Sequence, residues 1–134
     1  MRLPVLLASL FLLAGAAPAR DWTQTVTPAP SGFYVVGNPA AKVKLAEWAS
    51  YTCPHCGHFA AESASVLKDR MIRNGSVSLE VRHLIRDPLD LAAVIVARCG
   101  APRGFLARHV AIFAGQDAWM QKGATFLQAS WAVV

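Results

Sequence analysis

The chain has 134 residues, and its 13 Lys and Arg against 8 Asp and Glu give a net charge of +5. With 54% hydrophobic and 16% charged residues it is too apolar to remain disordered, and its length allows one domain at most. Arg70, Arg73, Arg82, Arg86, Arg98, Arg103 and Arg108 are scattered rather than gathered with aromatics. They read as a solvated basic surface, so nucleic acid is not an expected partner.

Residues 1–19 read as a secretory signal peptide. Arg2 supplies the positive start, Leu3 to Ala17 is apolar apart from Ser9, and Ala17-Pro18-Ala19 offers small residues for cleavage. The cut is expected after Ala19, because a cut after Ala17 would put Pro18 at the scissile bond. The apolar run is short of the ~20 residues a spanning helix needs, which disfavours an uncleaved anchor. No cysteine lies near the cut, which argues against a lipoprotein. Export implies an oxidising compartment, where paired cysteines can act as an oxidant.

Residues 20–31 are rich in Thr, Pro and Ala and are expected to form a mobile arm, with Trp22 as a point of attachment. Phe33 to Val36 reads as a first strand, closed by Gly37-Asn38-Pro39. Val43 to Ala49 reads as a second. Its alternation puts Val43, Leu45, Glu47 and Ala49 on one face and Lys44, Ala46 and Trp48 on the other. Glu47 thus has apolar neighbours. If buried, its carboxyl would be raised in pKa and could take a proton from a nearby cysteine. If that face is solvated, Glu47 is an ordinary surface charge.

The strand leads into Cys53-Pro54-His55-Cys56, at the start of a long predicted helix. The free N–H groups and positive end of a helix stabilise a thiolate. Pro54 fits the first turn, where its missing N–H costs nothing. His55 adds a group that can carry positive charge. These features predict a depressed pKa for Cys53. Cys56, one turn deeper, is the less accessible thiol. Two cysteines so spaced can also form half a zinc site, but no second pair exists, and His55 and His58 lie too close in sequence to complete one. A purely structural disulfide would close too small a loop to gain much entropy. Redox chemistry is the favoured reading.

Cys53-Pro54-His55-Cys56, preceded by Glu47 and by Ser50-Tyr51-Thr52, resembles the active site of DsbA-like thiol–disulfide oxidoreductases of the thioredoxin superfamily. The lead-in Gly37-Asn38-Pro39-Ala40-Ala41-Lys42-Val43 is also similar to theirs. The resemblance extends over roughly residues 33–119. It implies an α/β, thioredoxin-like fold with a helical insertion and a periplasmic location. The implied substrates are reduced or unfolded exported proteins, with a second redox partner, membrane-bound or soluble, to reoxidise the pair. No cofactor or metal is implied. It also favours a functional Glu47, since related proteins carry a buried acid six residues before the first cysteine. The catalytic set it implies is Cys53, Cys56, His55, Pro54 and Glu47.

Beyond the cysteines the helix is expected to run to Asn74-Gly75. Phe59, Ser63, Val66, Leu67 and Met71 form its predicted core stripe. Gly57 in its second turn has no reading beyond close packing. Val77 to Ile85 alternates as a third strand, parallel to the second, with His83 expected as a hydrogen-bonded core histidine. A helical block follows. Asp87 caps, Pro88 and Asp90 suit a first turn, and the helix stops at Gly100. Ala92, Val96 and Cys99 form its expected buried stripe, so Cys99 is expected in the core. Pro102 opens a second helix whose apolar side is Phe105, His109, Ile112 and Phe113. Asp117 is expected to cap a short third, and Thr125 a last one.

The block resembles the family's insertion, which sets the expected division: first half with the active site over 32–86, insertion over 87–134. The relatives then continue with two more strands and a helix, the first strand following a cis-proline loop that faces the cysteines. Here the last proline is Pro102, and no residue corresponds to that loop. The sequence therefore reads as a fold lacking its second half, with Val43–Ala49 as an exposed edge. Two functions from different classes follow: an exported oxidoreductase, or a non-catalytic truncated thioredoxin-like module that binds thiols or metal.

Overall fold

The computed structural model describes residues 20–100 and 102–131, with side chains through Gly123. The expected signal peptide lies outside the described residues. A four-stranded sheet carries the fold, in the order β1-β2-β4-β3. The strands are β1 (Val26–Pro28), β2 (Tyr34–Gly37), β3 (Val43–Ala49) and β4 (Val77–His83). β1 and β2 are antiparallel, as are β2 and β4, while β3 and β4 run parallel. The parallel register puts Glu47 beside Val81 and Ala49 beside His83. β4 is central, and Val77, Leu79, Val81 and His83 are all buried. β3 is an edge of the described sheet: Val43, Leu45 and Trp48 are exposed, and only Ala49 is buried.

The stretch expected as a mobile arm is part of the fold. Asp21 caps a 3-10 turn, Trp22–Gln24, by accepting from the Thr23 N–H at 2.9 Å. The Trp22 N–H donates to the Arg73 carbonyl at 3.1 Å. The Trp22 ring lies over Gly75, where an added Cβ would meet it at 2.6 Å. Gly75 has φ +82°, so it both ends the preceding helix and leaves room for the ring. The Thr- and Pro-rich composition that suggested mobility is also compatible with a short edge strand, and pairing with β2 decides it.

The long helix begins as α1 (Pro54–Ser63) and continues without a break as a π-helical segment, Ala64–Ile72. This corrects the predicted stripe. Leu67 and Ser63 are half-buried, but Phe59, Val66 and Met71 are exposed, and Ile72 enters the core. Bonding from i to i+5 turns successive side chains through a smaller angle, so a 3.6-residue pattern falls out of phase.

Helix α2 (Pro88–Arg98) starts where predicted, with the Asp87 carboxylate accepting from the Asp90 N–H. Its buried face, however, is Asp90, Ala93, Val94 and Ala97. Ala92 and Val96 face outward and Cys99 is exposed. Asp90, which bonds Ser50 and Tyr51, faces inward, and the residues three, four and seven positions further on share its face. Helix α3 (Phe105–Ala114) buries Phe105, His109 and Phe113 as expected. The two short helices predicted after it are one, α4 (Gln116–Trp131). Thr125 is inside that helix, so its backbone is not at a cap. α3 packs against both α1 and α2, which brings the helical block over the start of α1.

Candidate redox site

Cys53 is the N-cap of α1, with extended backbone at φ −92° and ψ 116°. Its carbonyl accepts from the Cys56 and Gly57 N–H groups at 3.1 and 3.2 Å, opening the helix. Pro54 occupies the first turn, as its fixed φ favours. The side chain of Cys53 is half-buried and His55 is exposed. The Cys53 thiol is held below its ordinary pKa, chiefly by the Cys56 backbone N–H. Partial desolvation opposes this, while the Cys56 thiol, the His55 N–H and the Arg86 guanidinium add to it. His55 thus acts on Cys53 through its backbone, and the nearby side-chain charge is that of Arg86.

Cys56 is shifted the other way. Desolvation is the main cause, and the charges of Cys53 and Glu47 push in the same direction. Glu47, half-buried on β3, is itself raised by desolvation. Glu47 also lines an apolar cavity of about 170 Å³ together with Gly57, Phe59 and Phe113. The five residues singled out from the sequence therefore gather at the β3–α1 junction. All three cysteines are free. Among the described residues no three His, Cys, Asp or Glu side chains cluster as metal ligands would.

The structure adds residues that the sequence did not point to. The loop before Cys53 is fastened by the start of α2. Buried Asp90 accepts from the Ser50 hydroxyl, from the Tyr51 N–H at 2.9 Å and from the Arg86 N–H at 3.1 Å. Asp87 accepts from the Thr52 hydroxyl at 2.7 Å. The Asp90 carboxylate thus joins the loop before Cys53 to the loop after β4, whose Arg86 helps set the Cys53 thiol. From α3, His109 Nδ1 bonds the Tyr51 hydroxyl at 2.9 Å. From α4, the Gln116 amide donates to the carbonyls of Tyr51 and Cys53 at 2.7 and 2.9 Å. In sequence Asp90 looks like an ordinary helix-start acid, and Gln116 carries no reading. Only the spacing of Asp87 and Asp90 carried any signal.

His83 corrects an expectation. It is buried as predicted, but among the described residues neither ring nitrogen has a hydrogen-bond partner. Its neighbours are aromatic, with ring centroids of Tyr51 and Phe105 at 5.4 and 6.1 Å. Burial pushes its pKa down to about 4, and that of His109 likewise.

A mixed sheet whose parallel strand leads into Cys-x-x-Cys at a helix N-terminus defines a thioredoxin-like fold. A thioredoxin family model matches residues 31–132, and the chain belongs to that family. It is 36% identical over 86 residues to a Rickettsia typhi protein named "Putative protein-disulfide oxidoreductase", covering 63% of this chain and 32% of that one. The solved structure of a protein-disulfide isomerase from Novosphingobium aromaticivorans matches with 42% identity and a TM-score of 0.62, over 65% of this chain and 44% of that one. Wolbachia pipientis alpha-DsbA1 matches with 27% identity and a TM-score of 0.64, over 79% of this chain and 55% of that one. The chain thus spans about a third of the Rickettsia relative and about half of these two solved structures.

Proposed function

We propose that the chain carries the redox centre of an exported thiol–disulfide oxidoreductase acting on proteins. The observation that carries this reading is the opposite shift of two thiols in one helical turn: Cys53 down, Cys56 up. The low-pKa thiol is the better nucleophile and leaving group near neutral pH, and the high-pKa thiol is the proton-holding partner. In the forward direction a substrate thiolate attacks Cys53 Sγ of the Cys53–Cys56 disulfide. The S–S bond breaks, a mixed disulfide forms on Cys53, and Cys56 leaves as a thiolate. Glu47, with its raised carboxyl pKa, is the proposed group that passes Cys56 its proton. A second substrate thiolate then attacks the substrate sulfur and releases the Cys53 thiolate. The substrate has lost two electrons and the pair has gained them. Because the released thiolate is stabilised, the reduced form is favoured and the disulfide is oxidising, as in DsbA.

A second redox protein must return the pair to the disulfide. The apolar leader with Ala17-Pro18-Ala19 supports export, and a periplasmic setting would supply reduced, unfolded proteins as substrates. The test is oxidation of a reduced model protein by the disulfide form. Turnover should be lost in Cys53→Ala, and Cys56→Ala, given oxidised glutathione in place of the reduced protein, should retain a mixed disulfide on Cys53 as one glutathione thiolate leaves. Turnover that survives Cys53→Ala would overturn the assignment. A protein that binds thiols or metal without any turnover would return the balance to a non-catalytic module.

A further inference from the structure

We infer that Gln116 is a positioning residue of the redox turn, holding the Cys53 peptide so that the helix N–H groups meet the sulfur. The inference rests on the redox reading above and adds to it a residue from the helical block. Gln116 is the first residue of α4 and is buried. Its amide nitrogen bonds the Tyr51 and Cys53 carbonyls, and its two protons serve one acceptor each. The oxygen end of the amide lies against Gly57, where an added Cβ would stand 2.5 Å from Gln116 Oε1. Gly57 therefore has a specific function in the second turn: it leaves the seat in which the Gln116 amide lies.

The Cys53 carbonyl receives three donors: the Cys56 and Gly57 N–H groups of α1 and the Gln116 amide of α4. The first two fix the start of the helix. The third fixes the peptide plane of its N-cap from outside the helix. The direction of Cys53 Sγ follows from that backbone, and the Cys56 and His55 N–H groups must stay aimed at it. Without Gln116 two carbonyls at the turn lose a donor, and the turn gains freedom where the thiolate needs a fixed environment.

Two variants reach the same contact by different routes. Gln116→Met keeps the length and removes the donors. Gly57→Ala keeps the glutamine and denies it its seat. In the reduced full chain, with folding checked by circular dichroism, iodoacetamide labelling of Cys53 at mildly acidic pH should fall roughly tenfold in each. That is the change in thiolate fraction a one-unit rise in pKa produces. The double variant should be no slower than either single, because one contact has been lost twice. Wild-type labelling rates in Gln116→Met, even alongside a lowered melting temperature, would overturn the role of Gln116 and leave it a packing residue. Additive losses would overturn the coupling to Gly57. The redox reading is judged separately: it fails if wild-type Cys53 is no more reactive than exposed Cys99, whereas Gln116 is judged by the ratio of variant to wild type.

Discussion

His83 and His109 stand uncharged beside Tyr51, two residues before Cys53. Both are buried, and each is held near pKa 4 against an ordinary 6.5, first by desolvation. The sign of the consequence is fixed. Between those two values the unfolded chain binds protons that the native core refuses, so stability is full above the unfolded value and falls as pH drops toward 4. The loss is at most roughly 3–4 kcal/mol per histidine. Denaturant midpoints should therefore fall between pH 6.5 and pH 4. His83→Phe should flatten that slope, because it replaces an unpartnered imidazole among aromatic rings with an apolar one. A slope unchanged in this variant would show that His83 is solvated. Asp90 is the opposite case, a buried carboxylate whose hydrogen bonds join two loops. Asp90→Ala leaves two backbone N–H groups without an acceptor and the buried Ser50 hydroxyl with only the Thr52 hydroxyl at 3.2 Å. It should cost roughly 3 kcal/mol or more by chemical denaturation, and a loss under about 1 kcal/mol would mean that water replaces the carboxylate.

At the scale of elements, the sequence was most readable where local chemistry and tertiary packing agree. Asp87-Pro88 marks the start of α2 and Asn74-Gly75 the end of the long helix, because caps are local. The parallel pairing of β3 with β4 followed from the strand-helix-strand order. Faces were harder. The π segment moved Val66 and Met71 out of the core, and Asp90, Ala93, Val94 and Ala97 rather than Val96 and Cys99 form the inner side of α2. Neither change has a signature within a few residues. β1 was missed because three residues that include a proline make a strand only by pairing. The exposed edge carries its own prediction. Unpaired edges with apolar side chains recruit other chains, and on β3 Val43, Leu45 and Trp48 are 50%, 41% and 57% exposed. Residues 20–134 should self-associate in sedimentation in a concentration-dependent way, and Leu45→Lys should return the chain toward monomer. Unchanged association in that variant would place the contact elsewhere.

For the molecule as a whole, the cysteines were legible and their support was not. Cys53, Pro54, His55 and Cys56 are contiguous, and Glu47 lies on the strand that leads to them. The groups that hold this turn come from three helices 34 or more residues further on, beginning at Asp87, and meet it only when the helical block folds onto α1. The fold thus sets an acid–base difference between two thiols one turn apart, and the proposed oxidoreductase activity depends on that difference. The most direct test is the pH dependence of alkylation, resolved by mass spectrometry at Cys53 and Cys56 in the reduced chain. Cys53 should become reactive below the ordinary thiol value of about 8.5, and Cys56 only above it. Both thiols titrating together near that ordinary value would contradict the account.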